Sequence, residues 1–161
     1  MTRYHLAQIN IGRLKAPMDA PETARFAQNL DRINALAEAQ DGFIWRLTGE
    51  GNNATDIVAF DDLMTILNMS VWTGPEALAA YVYRTDHRDV MRRRVEWFEK
   101  MELFMCLWWI PVGHRPTPAE GVARLEILRQ RGPTREAFTF REPFPAPNET
   151  QSPAPILDEC A

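Results

Sequence analysis

The pattern of apolar and polar residues predicts four β-strands along the chain. Residues 4–14 and 64–72 alternate with the two-residue period of a strand, and residues 43–47 form a second, short predicted strand. Residues 103–111 form a fourth predicted strand that is apolar on both faces and rich in aromatic side chains. The segment between the second and third strands is rich in Gly and Asn and predicts a long loop.

Apolar residues at helical spacing predict helices between and after these strands. The first helix follows the first strand and ends at Asp41-Gly42. The second begins near residue 73 and bends or restarts at residues 85–86, where a second cap-like cluster lies. The last opens with the capping box Thr117-Pro118-Ala119-Glu120 and ends at Gly132-Pro133.

The order strand, helix, strand, strand, helix, strand is that of a ferredoxin-like βαββαβ fold. We therefore predict an α+β domain over residues 1–140, with a four-stranded antiparallel sheet and an extra C-terminal helix. In such a fold the helices cover one face of the sheet, and the other face must be covered by something else. A second copy of the sheet is the usual solution, so we predict a dimeric α/β barrel. Residues 141–161 are rich in proline and unpatterned, and predict a flexible tail.

Composition excludes several classes of protein. The net charge of -4 and the pI near 5.4 argue against a nucleic-acid partner. The longest apolar run, residues 103–110, is too short to span a bilayer, and the N-terminus lacks the pattern of a signal peptide, so we expect a cytoplasmic protein without a membrane partner. No spacing of His, Cys or carboxylate residues indicates a metal site.

The strand alternation divides the sheet into two chemically different faces. Six apolar residues are expected to lie under the helices: Ala7, Ile9, Ile11, Leu67, Met69 and Val71. The opposite face then carries Gln8, Asn10, Asn68, Ser70 and Trp72. Polar groups flanked by tryptophans suit a cavity that holds a ligand by a few hydrogen bonds. Two alternatives stay open, a solvated face and polar groups that satisfy each other across a dimer interface.

His87 stands at the head of an apolar helical stripe and would point inwards with it. A neutral imidazole there could act as a general base or bind haem iron. The alternative is a buried histidine that is bonded to a backbone carbonyl. Packing in the core or at a dimer interface explains most of the tryptophans, and a flat ligand between them is the other interpretation.

Three stretches together resemble a known bacterial family. They are residues 42–47, residues 68–87 from Asn68-Met69-Ser70-Val71-Trp72 to His87, and residues 107–114. The chain resembles the domain of unknown function 3291 over roughly residues 4–140. More loosely, it is similar to the antibiotic-biosynthesis-monooxygenase and haem-degrading branches of the dimeric α/β-barrel superfamily.

The wider resemblance implies a homodimer with one cavity in each subunit. In some members of that superfamily a helix histidine binds haem in the cavity, and in others a polyketide is oxidised without a cofactor. His87 resembles the helix histidine, and Asn10 resembles the polar residue of the first strand near those cavities.

Two functions follow as hypotheses. The first is a monooxygenase-like enzyme that acts on a small hydrophobic or aromatic molecule, with or without haem. In it His87 and Asn10 are catalytic, and the substrate contacts Asn68, Ser70, Trp72, Trp45 and Trp108. The alternative is a non-catalytic small-molecule-binding or stress-associated dimer with the same cavity. A purely structural interaction module, with the polar face filled by side chains, is a third interpretation.

Overall fold

A computed structural model describes residues 3–55, 57 and 59–157 as an α+β fold around one antiparallel sheet. The described strands are β1 (Tyr4–Arg13), β2 (Phe43–Arg46), β3 (Thr65–Trp72) and β4 (Met105–Pro111). They lie in the order β2-β3-β1-β4, and every neighbouring pair is antiparallel. The α+β class, the antiparallel sheet and the extra C-terminal helix predicted from sequence are therefore confirmed.

Five α-helices connect and follow the strands within the described residues. They are α1 (Ala24–Glu38), α2 (Pro75–Arg84), α3 (His87–Arg92), α4 (Arg94–Trp97) and α5 (Pro118–Arg131). The predicted break at residues 85–86 separates α2 from α3. At the start of α5 the Thr117 hydroxyl accepts a hydrogen bond from the Glu120 backbone N–H, which confirms the predicted cap.

Helix α5 covers the apolar face of the sheet. The residues of this face that β1 contributes, Ala7, Ile9 and Ile11, are at most 4% exposed within a single chain. They form one cluster with Leu125 and Leu128 of α5. The helix lies very close to the sheet at Gly121, where an added Cβ would be 2.9 Å from the Ile9 Cδ1 atom. The close approach depends on the absence of a side chain there.

The remaining helices cover the polar face, which corrects the assignment made from sequence. Gln8, Asn10, Asn68 and Ser70 face side chains of α1, α2, α3 and α4. The apolar residues expected under these helices lie instead under α5. The expectation that one face would be left open for a second copy is therefore also wrong, because helices of the same chain cover both faces.

The proline-rich segment after residue 140 contacts the domain. The Trp109 indole N–H donates to the Phe144 carbonyl oxygen at 2.8 Å, and the Ile156 backbone N–H donates to the Phe140 carbonyl oxygen at 2.8 Å. Ala146 is buried. Residues 141–157 form neither helix nor strand. The flexibility of this segment in solution stays a prediction, and residues 158–161 lie outside the described part of the chain.

We expect that Gly121→Leu will lower the free energy of unfolding by about 3 kcal/mol, because the added side chain would collide with Ile9 and Met69. Ala123→Leu on the exposed side of α5 is the matched control and should change stability by less than about 0.5 kcal/mol. Urea unfolding of both variants measures the difference. Equal stability would show that α5 does not pack on the apolar face.

Candidate functional site

A cavity of about 170 Å³ lies between the polar face of the sheet and helices α1–α4. Its floor is built from amide and hydroxyl side chains of β1 and β3. Its apolar walls include Leu30 and Ile33 of α1, Leu78 of α2 and Met91 of α3. An apolar enclosure with a few convergent polar groups is the usual form of a small-molecule site.

The floor is a hydrogen-bonded network centred on Gln8, which is 3% exposed. The Gln8 side-chain N–H groups donate to the Asn68 Oδ1 atom at 2.9 Å and to the Ser70 Oγ atom at 2.8 Å. The Gln8 Oε1 atom accepts from Asn10 at 3.1 Å. This pairing arises because strand register places Gln8 opposite Ser70 and Asn10 opposite Asn68.

The network does not use all of its hydrogen-bonding capacity. The Asn68 Nδ2 group and the Asn10 Oδ1 atom have no bond to any other residue in the described part of the chain. Both residues line the cavity. A molecule in the cavity therefore meets one amide donor and one amide acceptor on the sheet.

Asn34 of α1 supplies a further polar group that the sequence analysis did not identify. It is only 8% exposed and lines the cavity, and its amide forms no hydrogen bond with any residue that the structure describes. Within those residues every fully enclosed side-chain N or O atom has a partner, so the Asn34 amide opens on the cavity. A signal existed in the sequence, because Asn34 follows Leu30 by one helical turn and adjoins the apolar stripe of α1.

Arg46 of β2 is the second lining residue that the sequence analysis missed. Its side chain is 8% exposed, and its Nε–H donates to the Glu38 carboxylate at 2.6 Å. Its Nη1 and Nη2 groups donate to the backbone and side-chain oxygens of Asn52. A register shift between Phe43 and Trp45 turns Arg46 towards the cavity beside Ser70, and simple alternation does not predict such a bulge.

A chain of ring contacts connects the network to His87. The Trp72 indole N–H donates to the Ser70 Oγ atom at 2.8 Å, and the Trp72 ring stacks on Tyr81 with centroids 5.3 Å apart. Tyr81 in turn contacts the His87 ring at 4.6 Å. His87 begins α3 and lines the cavity, with its Nδ1 atom 3.4 Å from the Val82 carbonyl oxygen.

The structure brings together five of the seven residues selected from the sequence. Asn10, Asn68, Ser70 and His87 line the cavity, and Trp72 packs directly behind it. The other two lie on the opposite face of the sheet. Trp45 packs against the apolar core, and the Trp108 indole N–H donates to Glu120 of α5 at 3.1 Å, so neither lines the cavity.

A family model described as a domain of unknown function, DUF3291, matches residues 5–154. The chain belongs to this family. Every residue that lines the cavity falls within the DUF3291 match, as do α5 and most of the proline-rich segment. The family's description assigns no activity to the cavity.

Two other comparisons add little to the DUF3291 assignment. No curated protein matches the chain. A crystal structure of NE2512, a protein of unknown function from Nitrosomonas europaea, is 13% identical, with 71% of this chain and 95% of that chain covered and a TM-score of 0.45. A likeness this low supports no statement about function.

The cavity does not fit a haem. At about 170 Å³ it is smaller than the roughly 300–1,000 Å³ of sites for drug-sized ligands, and a porphyrin needs at least that space. Among the residues that the structure describes, no three His, Cys, Asp or Glu residues lie together as metal ligands.

Burial raises the pKa of the Cys106 thiol to about 12, which keeps it protonated and a poor nucleophile. No helix in the described ranges is long and apolar enough to cross a membrane.

Burial lowers the pKa of His87 to about 4, although the contact with the Val82 carbonyl acts in the opposite direction. His87 is therefore neutral at pH 7. A histidine in an unfolded chain has a pKa of about 6.5, so between pH 6.5 and 4 the unfolded chain binds a proton that the folded chain does not. His87 thus stabilises the fold above pH 6.5, and this contribution is lost as the pH falls towards 4.

We expect that His87→Gln will weaken the fall in unfolding free energy between pH 6.5 and pH 4, by at most about 3 kcal/mol over that range. Urea unfolding at several pH values measures it against the wild type. His114→Gln, at an exposed histidine outside the cavity, is the control and should leave the His87 contribution in place. The same pH dependence in His87→Gln and the wild type would contradict the buried, neutral imidazole.

Proposed function

We propose that this protein binds a small hydrophobic or aromatic molecule, about one ring in size, in the cavity between the polar sheet face and helices α1–α4. The observation that carries the proposal is Asn34. Its amide is bonded to no residue that the structure describes and is accessible from the cavity, so a ligand can bond to it without breaking a hydrogen bond of the protein.

The size of the cavity supports a ligand of about one ring. An engineered cavity of about 150 Å³ in another protein binds benzene, which gives a scale for the 170 Å³ found between α1 and the sheet. Leu30, Ile33 and Met91 would contact the apolar body of the ligand. The amides of Asn34 and Asn68 would then bond to an oxygen atom of the ligand.

The strand order β2-β3-β1-β4 supports a ferredoxin-like classification of the fold, with α5 as an addition. A homodimer stays a prediction. Because α5 covers the apolar face, a dimer would have to use a surface other than the sheet-to-sheet contact of a dimeric α/β barrel. The mass of the protein in solution tests the predicted dimer.

A monooxygenase-like enzyme is the second candidate, and the position of His87 favours it. A neutral imidazole on a cavity wall can take a proton from a bound substrate. In a cofactor-free form of this reaction, His87 removes a proton from an acidic CH₂ group, O₂ then oxidises that group to C=O, and one water is released. The four electrons that reduce O₂ come from the substrate, so the scheme needs no haem.

An oxygen electrode tests this second candidate with phenylacetone, a one-ring aromatic ketone that carries an acidic CH₂ group. We expect oxygen uptake above the protein-free rate and a loss of at least tenfold in His87→Gln. His114→Gln is the control, because this histidine lies outside the cavity. An unchanged rate in His87→Gln would remove His87 from the reaction.

We expect that Asn34→Leu will stabilise the protein by about 1 kcal/mol and abolish ligand binding, because it replaces the amide with an apolar side chain that fills the cavity. For a domain of this size the unfolding temperature should rise by about 2–4 °C. Thermal unfolding measures the stability, and ligand-observed NMR with single-ring aromatic compounds measures binding.

Gln28→Leu is the control for stability, because Gln28 lies on the exposed side of the same helix and outside the cavity lining. It also replaces a side-chain amide with leucine, but it should not stabilise the fold. If Asn34→Leu is instead destabilising, or still binds the aromatic compounds as well as the wild type, Asn34 is not a ligand-binding group.

A further inference from the structure

Among the described residues that line the cavity, the charged side chains carry the same sign. The lining includes Arg46 and Arg94, and among the lining residues that the structure describes there is no Asp or Glu. The other titratable residues of this lining are His87 and Tyr81. The Tyr81 hydroxyl donates to the Ile33 carbonyl oxygen. In a protein whose net charge is -4, a cavity whose described lining has two arginines and no carboxylate departs from the average surface.

The positive charge of Arg46 lies next to the polar floor. Strand register places Arg46 opposite Ser70, and Ser70 lies opposite Gln8 in the same row of the sheet. The carboxylate of Glu38 pairs with Arg46, but it belongs to a half-exposed side chain outside the cavity lining. The ion pair therefore presents its positive end to the cavity and its negative end to solvent.

Asn34 and Arg46 come together through helix α1. Asn34 precedes Glu38 by four residues, so the two share one face of the helix, and Glu38 holds Arg46. The Asn34 amide thus lies one helical turn from the residue that fixes the guanidinium. Arg94 lies further along the wall, with its guanidinium carbon 3.8 Å from the centre of the Phe104 ring.

We propose that the ligand of this cavity is a small carboxylate whose apolar body is about one ring in size. This inference rests on the proposed binding function and adds the charge of the ligand to it. The carboxylate group would lie near the amides of Asn34 and Asn68 in the positive field of Arg46. Enclosure within protein strengthens such an interaction relative to water, since the local dielectric constant is lower.

Isothermal titration of the full-length protein with benzoate and with benzamide tests the charge directly. The two probes share one ring and nearly the same shape, and only benzoate is an anion at pH 7. We expect benzoate to bind at least ten times more tightly than benzamide. Benzamide binding as tightly as benzoate overturns the inference and leaves the proposed function standing. If neither probe binds, the proposed function fails with it.

Two variants locate the effect in the cavity. Asn34→Asp is almost isosteric but adds a negative charge, and it should weaken benzoate binding at least tenfold more than benzamide binding. Arg94→Gln should weaken benzoate binding about fivefold or more and leave benzamide within twofold. Arg92→Gln removes the same charge from an exposed position outside the cavity and should change neither. If Arg92→Gln matches Arg94→Gln, general electrostatics explains the preference and the inference is wrong.

Discussion

The carboxamide of Gln8 is the group on which the rest of the site depends. It lies almost fully buried on β1, where an unpaired polar group would be costly, and it is satisfied by Asn68 and Ser70 of β3 and by Asn10 of β1. Its bond to the Ser70 oxygen leaves that oxygen able to accept the Trp72 indole N–H as well. Trp72 then supports Tyr81, and Tyr81 supports His87. One buried amide thus links the central strand to two helices.

This arrangement gives the two faces of the sheet different tasks. The apolar face is a close-packed layer against α5, with Gly121 allowing the shortest approach. The polar face cannot pack in the same way, because its amides must be paired or reach solvent. The helices above it therefore leave a cavity rather than a filled core. A buried apolar cluster lies on each side of the sheet, and ligand binding, in our proposal, belongs to the side of α1–α4.

The sequence predicts the elements of this fold far better than their arrangement. Period-two alternation predicts β1 and β3 and even the residues that share a face, such as Gln8 with Asn10, and a run that is apolar on both faces predicts β4. Alternation does not say which helices cover which face, because a buried polar network and a solvated surface have the same pattern. Trp45 and Trp108 were grouped with the cavity on their size alone. Arg46 was missed because a bulge changes the register of β2.

The central claim is that the open space lies under α1–α4 and not under α5. Methyl NMR spectra recorded under xenon pressure test it most directly, because xenon enters pre-formed apolar space whatever the charge of the natural ligand. We predict shifts for the methyl groups of Leu30, Ile33 and Met91 and none for those of Leu125 and Leu128. Shifts confined to the methyl groups beneath α5, or no shifts at all, would contradict the account.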